Sequence, residues 1–524
     1  MKQDKDKVLI YDTTLRDGAQ GEEISFSLDD KLKIVQKLDS IGFHYIEGGW
    51  PGSNPKDILF FKEVKNLSLK NAKITAFGST RCKGNSCEKD PNLKAIVDSK
   101  VKVTAIFGKS WDFHVKHALR ATLDENLKMI YETLKWLKSK GMEVIYDAEH
   151  FFDGFTANSE YALQTLKKAQ EAGVDNITLC DTNGTMMPNQ VREIVNVVKE
   201  KIKVPLGIHA HNDSDTAVAN SLMAVLAGCV LVQGTINGYG ERCGNANLCS
   251  IIPNLKLKMG VDCIDNTGMK NLTKVCAYVD GIANVTPNNK QPFVGRSAFA
   301  HKGGIHISAV ERDSRTYEHV NPELVGNKRR FLISELSGKS AILSKAKEFN
   351  INFRNEAEIS KLLKKVKELE HFGYQFEEAD GTLELLMRKT VGKHRTFFKL
   401  KGFRTIIWKD SKGFLKSEAI IKISVKGKDE VTVSEGDGPV AALDSALRKA
   451  LESYYPELKE VTLYDFKVRV VNASGGTGAK VRVLIESRDK KNTWATVGVS
   501  ENIIEASWQA LVDSIEYKLL KEKQ

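Results

Sequence analysis

Residues 8–42 read VLIYDTTLRDGAQGEEISFSLDDKLKIVQKLDSIG. The run Val8-Leu9-Ile10-Tyr11-Asp12 is rich in branched and aromatic side chains, which predicts a strand. A polar loop follows, and then Leu28, Leu32, Val35, Leu38 and Ile41 recur at helical spacing. Ser27 stands at the cap position with Asp30 three residues on, and Gly42 supplies a stop. The unit is strand, loop, helix, and it recurs. Strand-like runs at Tyr45–Glu47, Ile74–Phe77, Val101–Phe107, Glu143–Asp147, Asn176–Cys180, Leu206–His211 and Val230–Gln233 are separated by helical stretches at Leu123–Lys140, Ser159–Ala172, Asn189–Lys201 and Asp215–Ala227. About eight such units over roughly 260 residues predict an α/β fold of the (β/α)8 TIM-barrel type. No G-x-G-x-x-G follows the first strand, which argues against a dinucleotide fold.

The pattern changes after about Pro287, where Asn288-Asn289-Lys290-Gln291-Pro292 reads as a linker. The expected division is a barrel over 1–287, helical linker subdomains over 288–399 and a C-terminal α+β domain over 400–524. In the last part Ile420–Val425 and Lys467–Val471 alternate like strands, and Val440–Leu451 and Ile503–Leu519 are amphipathic. Its two halves form a weak repeat of strands, Gly-rich turn and helix, with Gly475-Gly476-Thr477-Gly478 as a hairpin-like turn.

Composition bounds the class. In 524 residues no apolar run approaches the roughly 20 needed to span a bilayer. The segment Met1–Lys7 is charged, unlike a signal peptide, so a cytoplasmic protein is expected. The net charge is +11, but lysines such as Lys31, Lys33 and Lys37 are spread along amphipathic segments, which predicts a basic solvated surface and no nucleic-acid partner. All 8 cysteines lie in the first 276 residues and none forms C-x-x-C. They are expected to be buried, reduced thiols.

Barrels of this kind carry their chemistry at the C-terminal ends of the strands. His209-Ala210-His211 ends the seventh run, and in a strand residues i and i+2 share a face. Histidines so spaced are often only hydrogen-bonded surface residues. Here Asp17 stands just past the first strand, which a closed barrel brings near the seventh. Two imidazoles and a carboxylate make a metal site with open positions. Arg16 beside Asp17 suits a carboxylate or a developing negative charge. Glu149 ends the fifth run, as an acid/base, an orienting partner for Arg16 or a barrel-mouth ion pair. Thr182 ends the sixth, its hydroxyl suiting a substrate carboxylate or a turn cap. After the eighth run, Gly238–Asn247 is glycine-dense, which lets backbone approach a ligand, and nothing marks its Cys243 as a low-pKa thiol.

Asp12-Thr13-Thr14-Leu15-Arg16-Asp17-Gly18-Ala19-Gln20, His209-Ala210-His211-Asn212-Asp213 and Gly240-Glu241-Arg242-Cys243-Gly244-Asn245 resemble the DRE-TIM metallolyase superfamily, in its group of 2-isopropylmalate, homocitrate and citramalate synthases. Gly48–Pro55, Ala76–Arg81 and Asp147–Gly154 are similar to the citramalate synthase type, and Ala473–Ala479 to the group's allosteric domain. The resemblance implies an acyltransferase that joins acetyl-CoA, pyruvate and water into (R)-citramalate and CoA, with 2-isopropylmalate synthesis from 2-ketoisovalerate as the alternative. It implies a divalent metal ion (Zn, Mn, Co or Mg) on Asp17, His209, His211 and Asn245, with Arg16 and Thr182 toward the substrate. Helper roles fall to His306 and Tyr317, with His301 a lesser substitute for His306. A homodimer and feedback by isoleucine, in a threonine-independent isoleucine route, complete the expectation.

Overall fold

Eight parallel strands close into a barrel in sequence order. They are β1 (Leu9–Asp12), β2 (Tyr45–Gly49), β3 (Lys73–Ser79), β4 (Val103–Lys109), β5 (Glu143–Glu149), β6 (Asn176–Asp181), β7 (Leu206–Ala210) and β8 (Leu231–Gly234). The structure, a computed structural model, describes residues 7–334, 337–471, 476 and 478–522. Strand β1 closes the barrel against β8, with Leu9 beside Leu231 and Asp12 beside Gly234. Every expected run is a strand, shifted by a few residues at its ends. Strand β7 stops one residue short of His211, which is instead held by an isolated bridge to Asn245.

The two faces of each strand do different work, because side chains alternate. Ile10, Ile46, Ala76, Ile106, Val144, Ile177, Ile208 and Val232 belong to the apolar layer shared with the surrounding helices. Tyr11, Tyr45, Phe77, Val103, Ala105, Ile145 and Leu231 form a separate cluster inside the barrel. Continuing that second register toward the C-terminal ends brings polar residues into the mouth.

Helix Leu28–Ser40 carries the expected capping box between Ser27 and Asp30. Its buried face differs from the expected one: Lys31, Ile34, Val35, Leu38 and Asp39 are buried, while Leu28 and Leu32 are only partly covered. Lys31 turns inward because its Nζ donates to Gly48 O at 2.9 Å and to Asp57 Oδ1 at 2.6 Å. Asp57 in turn lies against Gly49, at φ +144°, where its carboxyl fills the space a Cβ would need. Helices Pro55–Glu63 and Pro91–Asp98 were too short to register as periodic, yet each starts on a proline behind a capping Asn54 or Asp90. Helix Phe151–Ala172 begins earlier than the expected Ser159, with non-helical backbone at Asn158. Six cysteines are buried as expected; Cys82 and Cys243 are exposed.

The chain forms two units, one reaching to Phe299 and including His319–Arg329, the other holding Ala300–Glu318 and the chain from Arg330 onward. In the second unit, helices Lys339–Glu348, Glu356–Phe372 and Asp380–Thr390 enclose Ile342, Leu362, Val366, Phe376 and Leu383. Two repeats of three antiparallel strands and a helix follow. The first is Phe398–Lys409, Leu415–Val425, Lys428–Gly436 and helix Pro439–Leu451; the second is Thr462–Val470, Val481–Arg488, Thr493–Ser500 and helix Ile503–Lys521. Ile421, Ile423, Leu447, Val483, Ile485, Leu511 and Leu519 share one core. Of the expected glycine turn, Gly475 and Thr477 lie outside the described residues, as do Ala473 and Ser474. Among the described residues no helix is long and apolar enough to cross a membrane.

Candidate active site

The inward register of the strands ends at a cavity of about 240 Å³ in the barrel mouth. Its lining includes Arg16, Asp17, Trp50, Phe77, Phe107, Asp147, Glu149, Thr182, His209 and His211. Strand β7 supplies His209, and the loop after β1 supplies Arg16 and Asp17.

His209 and His211 aim their Nε2 atoms at one another across 3.1 Å. Asp17 Oδ2 lies 3.4 Å from the first and 4.0 Å from the second. Burial, then the neighbouring His211, pulls His209 down to about 3, and burial likewise lowers His211. Both rings are therefore neutral near pH 7. Burial alone would raise Asp17, but Arg16, His209 and His211 outweigh it and hold the carboxyl down at about 2. One carboxylate and two lone-pair nitrogens thus converge, their ligand atoms all within 4.8 Å of one another. An isolated backbone bridge holds Asn245 against His211, and among the described residues its buried Oδ1 has no hydrogen-bond partner. Its Nδ2 donates to Tyr239 O at 3.1 Å, which leaves the oxygen free. Gly240 makes this possible, since a Cβ at its φ of +155° would collide with the Asn245 amide. This donor set fits a divalent cation.

Arg16 is held rigidly. Its Nε donates to Glu47 Oε1 at 2.5 Å, its Nη1 lies 3.2 Å from Asp17 Oδ2, and the guanidinium sits 3.7 Å over the Phe77 ring. Burial would lower its pKa, but Asp17 and Glu47 more than offset that, so it stays charged. Glu47 also accepts from Thr13 Oγ1 at 2.7 Å and from the Tyr11 hydroxyl. The orienting partner of Arg16 is thus Glu47. Glu149 instead pairs with Lys109 at 2.5 Å, which leaves one wall of the cavity acidic and anchored. Thr182 Oγ1 accepts from His150 N at 2.9 Å, so the hydroxyl caps a turn while lining the cavity.

Trp50, Phe77 and Phe107 form the apolar wall. Phe77 and Phe107 stack with centroids 5.4 Å apart, and Trp50 meets both edge-on at 5.8 and 5.7 Å. Deeper in, Gln233 bridges His209 and Asp147. Burial, reinforced by Glu47, pushes Asp147 up to about 7.

His306 and Tyr317 belong to the second unit, where their rings pack at 4.1 Å. His301, in the same unit, instead faces Glu318, with Nε2 at 3.3 Å from its Oε1. Glu47, Trp50, Phe107 and Gln233 escaped the sequence reading. Glu47 and Gln233 carried the usable signal, since each is a polar residue closing an apolar run.

Comparison with known proteins agrees along the whole chain. A family model described as HMGL-like matches residues 7–279, a homocitrate synthase post-HMGL domain-like model matches 293–373, and a LeuA allosteric (dimerisation) domain model matches 377–519. The chain is 57% identical to the (R)-citramalate synthase of Geobacter sulfurreducens, over 99% of this chain and 98% of that protein. It is 56% identical to the (R)-citramalate synthase of Aquifex aeolicus, over 99% of both. A 2-isopropylmalate synthase of Methanocaldococcus jannaschii is more distant, at 30% over 99% of this chain and 96% of that protein.

Proposed function

This chain belongs to the HMGL-like family, among its (R)-citramalate synthases, and we propose that it condenses acetyl-CoA with pyruvate and water to give (R)-citramalate and CoA in the barrel mouth. The observation that carries the reading is the convergence of Asp17, His209 and His211 beside a charged, anchored Arg16. Asp17, His209, His211 and the Asn245 oxygen would hold the divalent cation. When bound, it supplies Lewis-acid polarisation of the keto group.

The chain's own groups do the rest. Arg16 faces the site where the keto oxygen gains negative charge as the new C–C bond forms, and Glu47 keeps the guanidinium from turning away. The Thr182 hydroxyl binds the keto-acid carboxylate. Glu149, anchored by Lys109, does acid/base work at the cavity wall. The resemblance assigns helper roles to His306 and Tyr317, from the second unit. Trp50, Phe77 and Phe107 wall a cavity of about 240 Å³, which supports a keto acid as small as pyruvate. Thioester hydrolysis then makes the condensation effectively irreversible.

The LeuA allosteric (dimerisation) domain match over 377–519 supports a homodimer with an amino-acid effector, isoleucine being the one the resemblance implies. The division of labour follows the three segments 1–287, 288–399 and 400–524, in a cytoplasmic enzyme of isoleucine biosynthesis. The test is release of free CoA, read with a thiol reagent, from acetyl-CoA, a divalent cation and a panel of keto acids. Pyruvate is expected to give the fastest release; release with 2-ketoisovalerate and none with pyruvate overturns the assignment.

A further inference from the structure

We propose that Asp147 is a positioning residue that sets the tautomer of His209, acting through Gln233; this rests on reading Asp17, His209 and His211 as a metal site. The three side chains form a chain of fixed direction. Gln233 Nε2 donates to Asp147 Oδ1 at 2.9 Å, and the other end of the same amide, Oε1, lies 3.0 Å from His209 Nδ1. Gln233 is fully buried, and Asp147 and His209 are 4% and 5% exposed, so the amide that joins them lies beneath the cavity wall.

An amide has one donor end and one acceptor end. A carboxyl oxygen against one end makes that end the NH2 and turns the oxygen toward the ring. A ring nitrogen facing a carbonyl oxygen carries the proton. His209 is therefore the Nδ1–H tautomer, and its lone pair sits on Nε2, the atom 3.4 Å from Asp17 and 3.1 Å from His211. With the amide reversed, Nε2 would carry the proton and could not ligate. Thr178 Oγ1 also lies 3.3 Å from Gln233 Nε2, but a hydroxyl can turn to donate. The carboxyl keeps an acceptor oxygen in either charge state. Partners of this kind orient metal-binding imidazoles generally; what this structure assigns is a two-step relay that ends on a carboxyl in the cavity wall.

The test uses the full chain and Co2+ as the probe. Titration calorimetry is expected to show Asp147→Leu and Gln233→Met binding Co2+ about 10–100-fold more weakly than wild type. Asp147→Asn, whose amide oxygen still accepts, is expected to restore binding. Nitrogen-15 NMR of histidine-labelled, metal-free protein is expected to show His209 with its proton on Nδ1, and a shift toward Nε2 in Asp147→Leu. Wild-type Co2+ affinity and an unchanged tautomer in Asp147→Leu overturn the proposal. If that variant does not fold, an Nε2–H tautomer in the wild type overturns it equally. A wild-type chain that binds no Co2+ defeats the metal reading, while the tautomer measurement still judges the relay by itself.

Discussion

Glu47, with none of its surface exposed, accepts from Arg16 Nε at 2.5 Å and so fixes the guanidinium that stands beside Asp17 in the cavity. Three donors converge on this carboxylate, from Tyr11, Thr13 and Arg16. Glu47→Gln keeps the shape, removes the charge and turns an N–H2 toward at least one of those donors. The expected outcome is a loss of kcat of about 10²–10³-fold, the scale of removing one stabilising donor from a reacting oxyanion. Thermal stability should fall as well, since breaking a buried charge pair costs about 3–5 kcal/mol. Unchanged kcat in a folded, metal-replete variant would show that Arg16 needs no such anchor.

Asp17→Asn and His209→Ala should lose bound cation and activity together. Elemental content of the purified variants and CoA release with pyruvate measure the two. Chelator treatment of the wild type should abolish activity, and adding back a divalent cation should restore it.

The stacked Phe77 and Phe107 pair, edged by Trp50, walls the cavity, and on the proposed function it should limit the keto-acid side chain. Phe107→Leu opens the wall and keeps Phe77, the ring under Arg16. The ratio of kcat/KM for pyruvate over 2-ketobutyrate should fall roughly tenfold, within the ~1–3 kcal/mol that one methylene commands in an apolar pocket. An unchanged ratio places the discrimination elsewhere.

Folding favours the protonated form of Asp147, because burial and Glu47 push it up to about 7. Its contribution to stability is complete below the unfolded value of about 4 and is lost as pH rises toward 7. Asparagine cannot ionise. Asp147→Asn should therefore gain stability over the wild type as pH rises, by roughly 1–4 kcal/mol at about pH 7.5 relative to about pH 4. Melting curves of both proteins across that range, after chelation, give the difference; a flat difference contradicts the assignment.

Lys31 and Asp57 form a buried pair at 2.6 Å, and Asp57 Oδ2 also accepts from Trp50 N at 2.9 Å. Lys31→Met strands that carboxylate and should cost about 3–5 kcal/mol in denaturant unfolding. The double variant with Asp57→Asn should recover part of it. A larger effect of the double variant on CoA release than on stability would show that Asp57 also positions Trp50.

The strands and the converging Asp17, His209 and His211 were legible because each leaves a local mark. A strand shows as a short branched or aromatic run, and a residue bound for the barrel mouth shows as a polar group that ends one. Glu47 carries that same mark after Tyr45-Ile46. Its partner is 31 residues away, joined only because β1 lies beside β2. Phe107 carries no polar mark at the end of its run, and Lys31 read as solvated because the periodicity of its helix pointed elsewhere.

By itself the sequence determined the run of strands and helices, that His209 and His211 share a face, and that one aspartate and two histidines meet at the mouth. All of these follow from periods of two or 3.6 residues and the closure of the barrel. Only the tertiary structure decided the pairings: Glu47 with Arg16, Glu149 with Lys109, Asp147 with Gln233, Lys31 with Asp57. Periodicity is local along the chain, whereas hydrogen bonds and ion pairs depend on a few ångströms between side chains from different elements, and no spacing in the sequence records that distance.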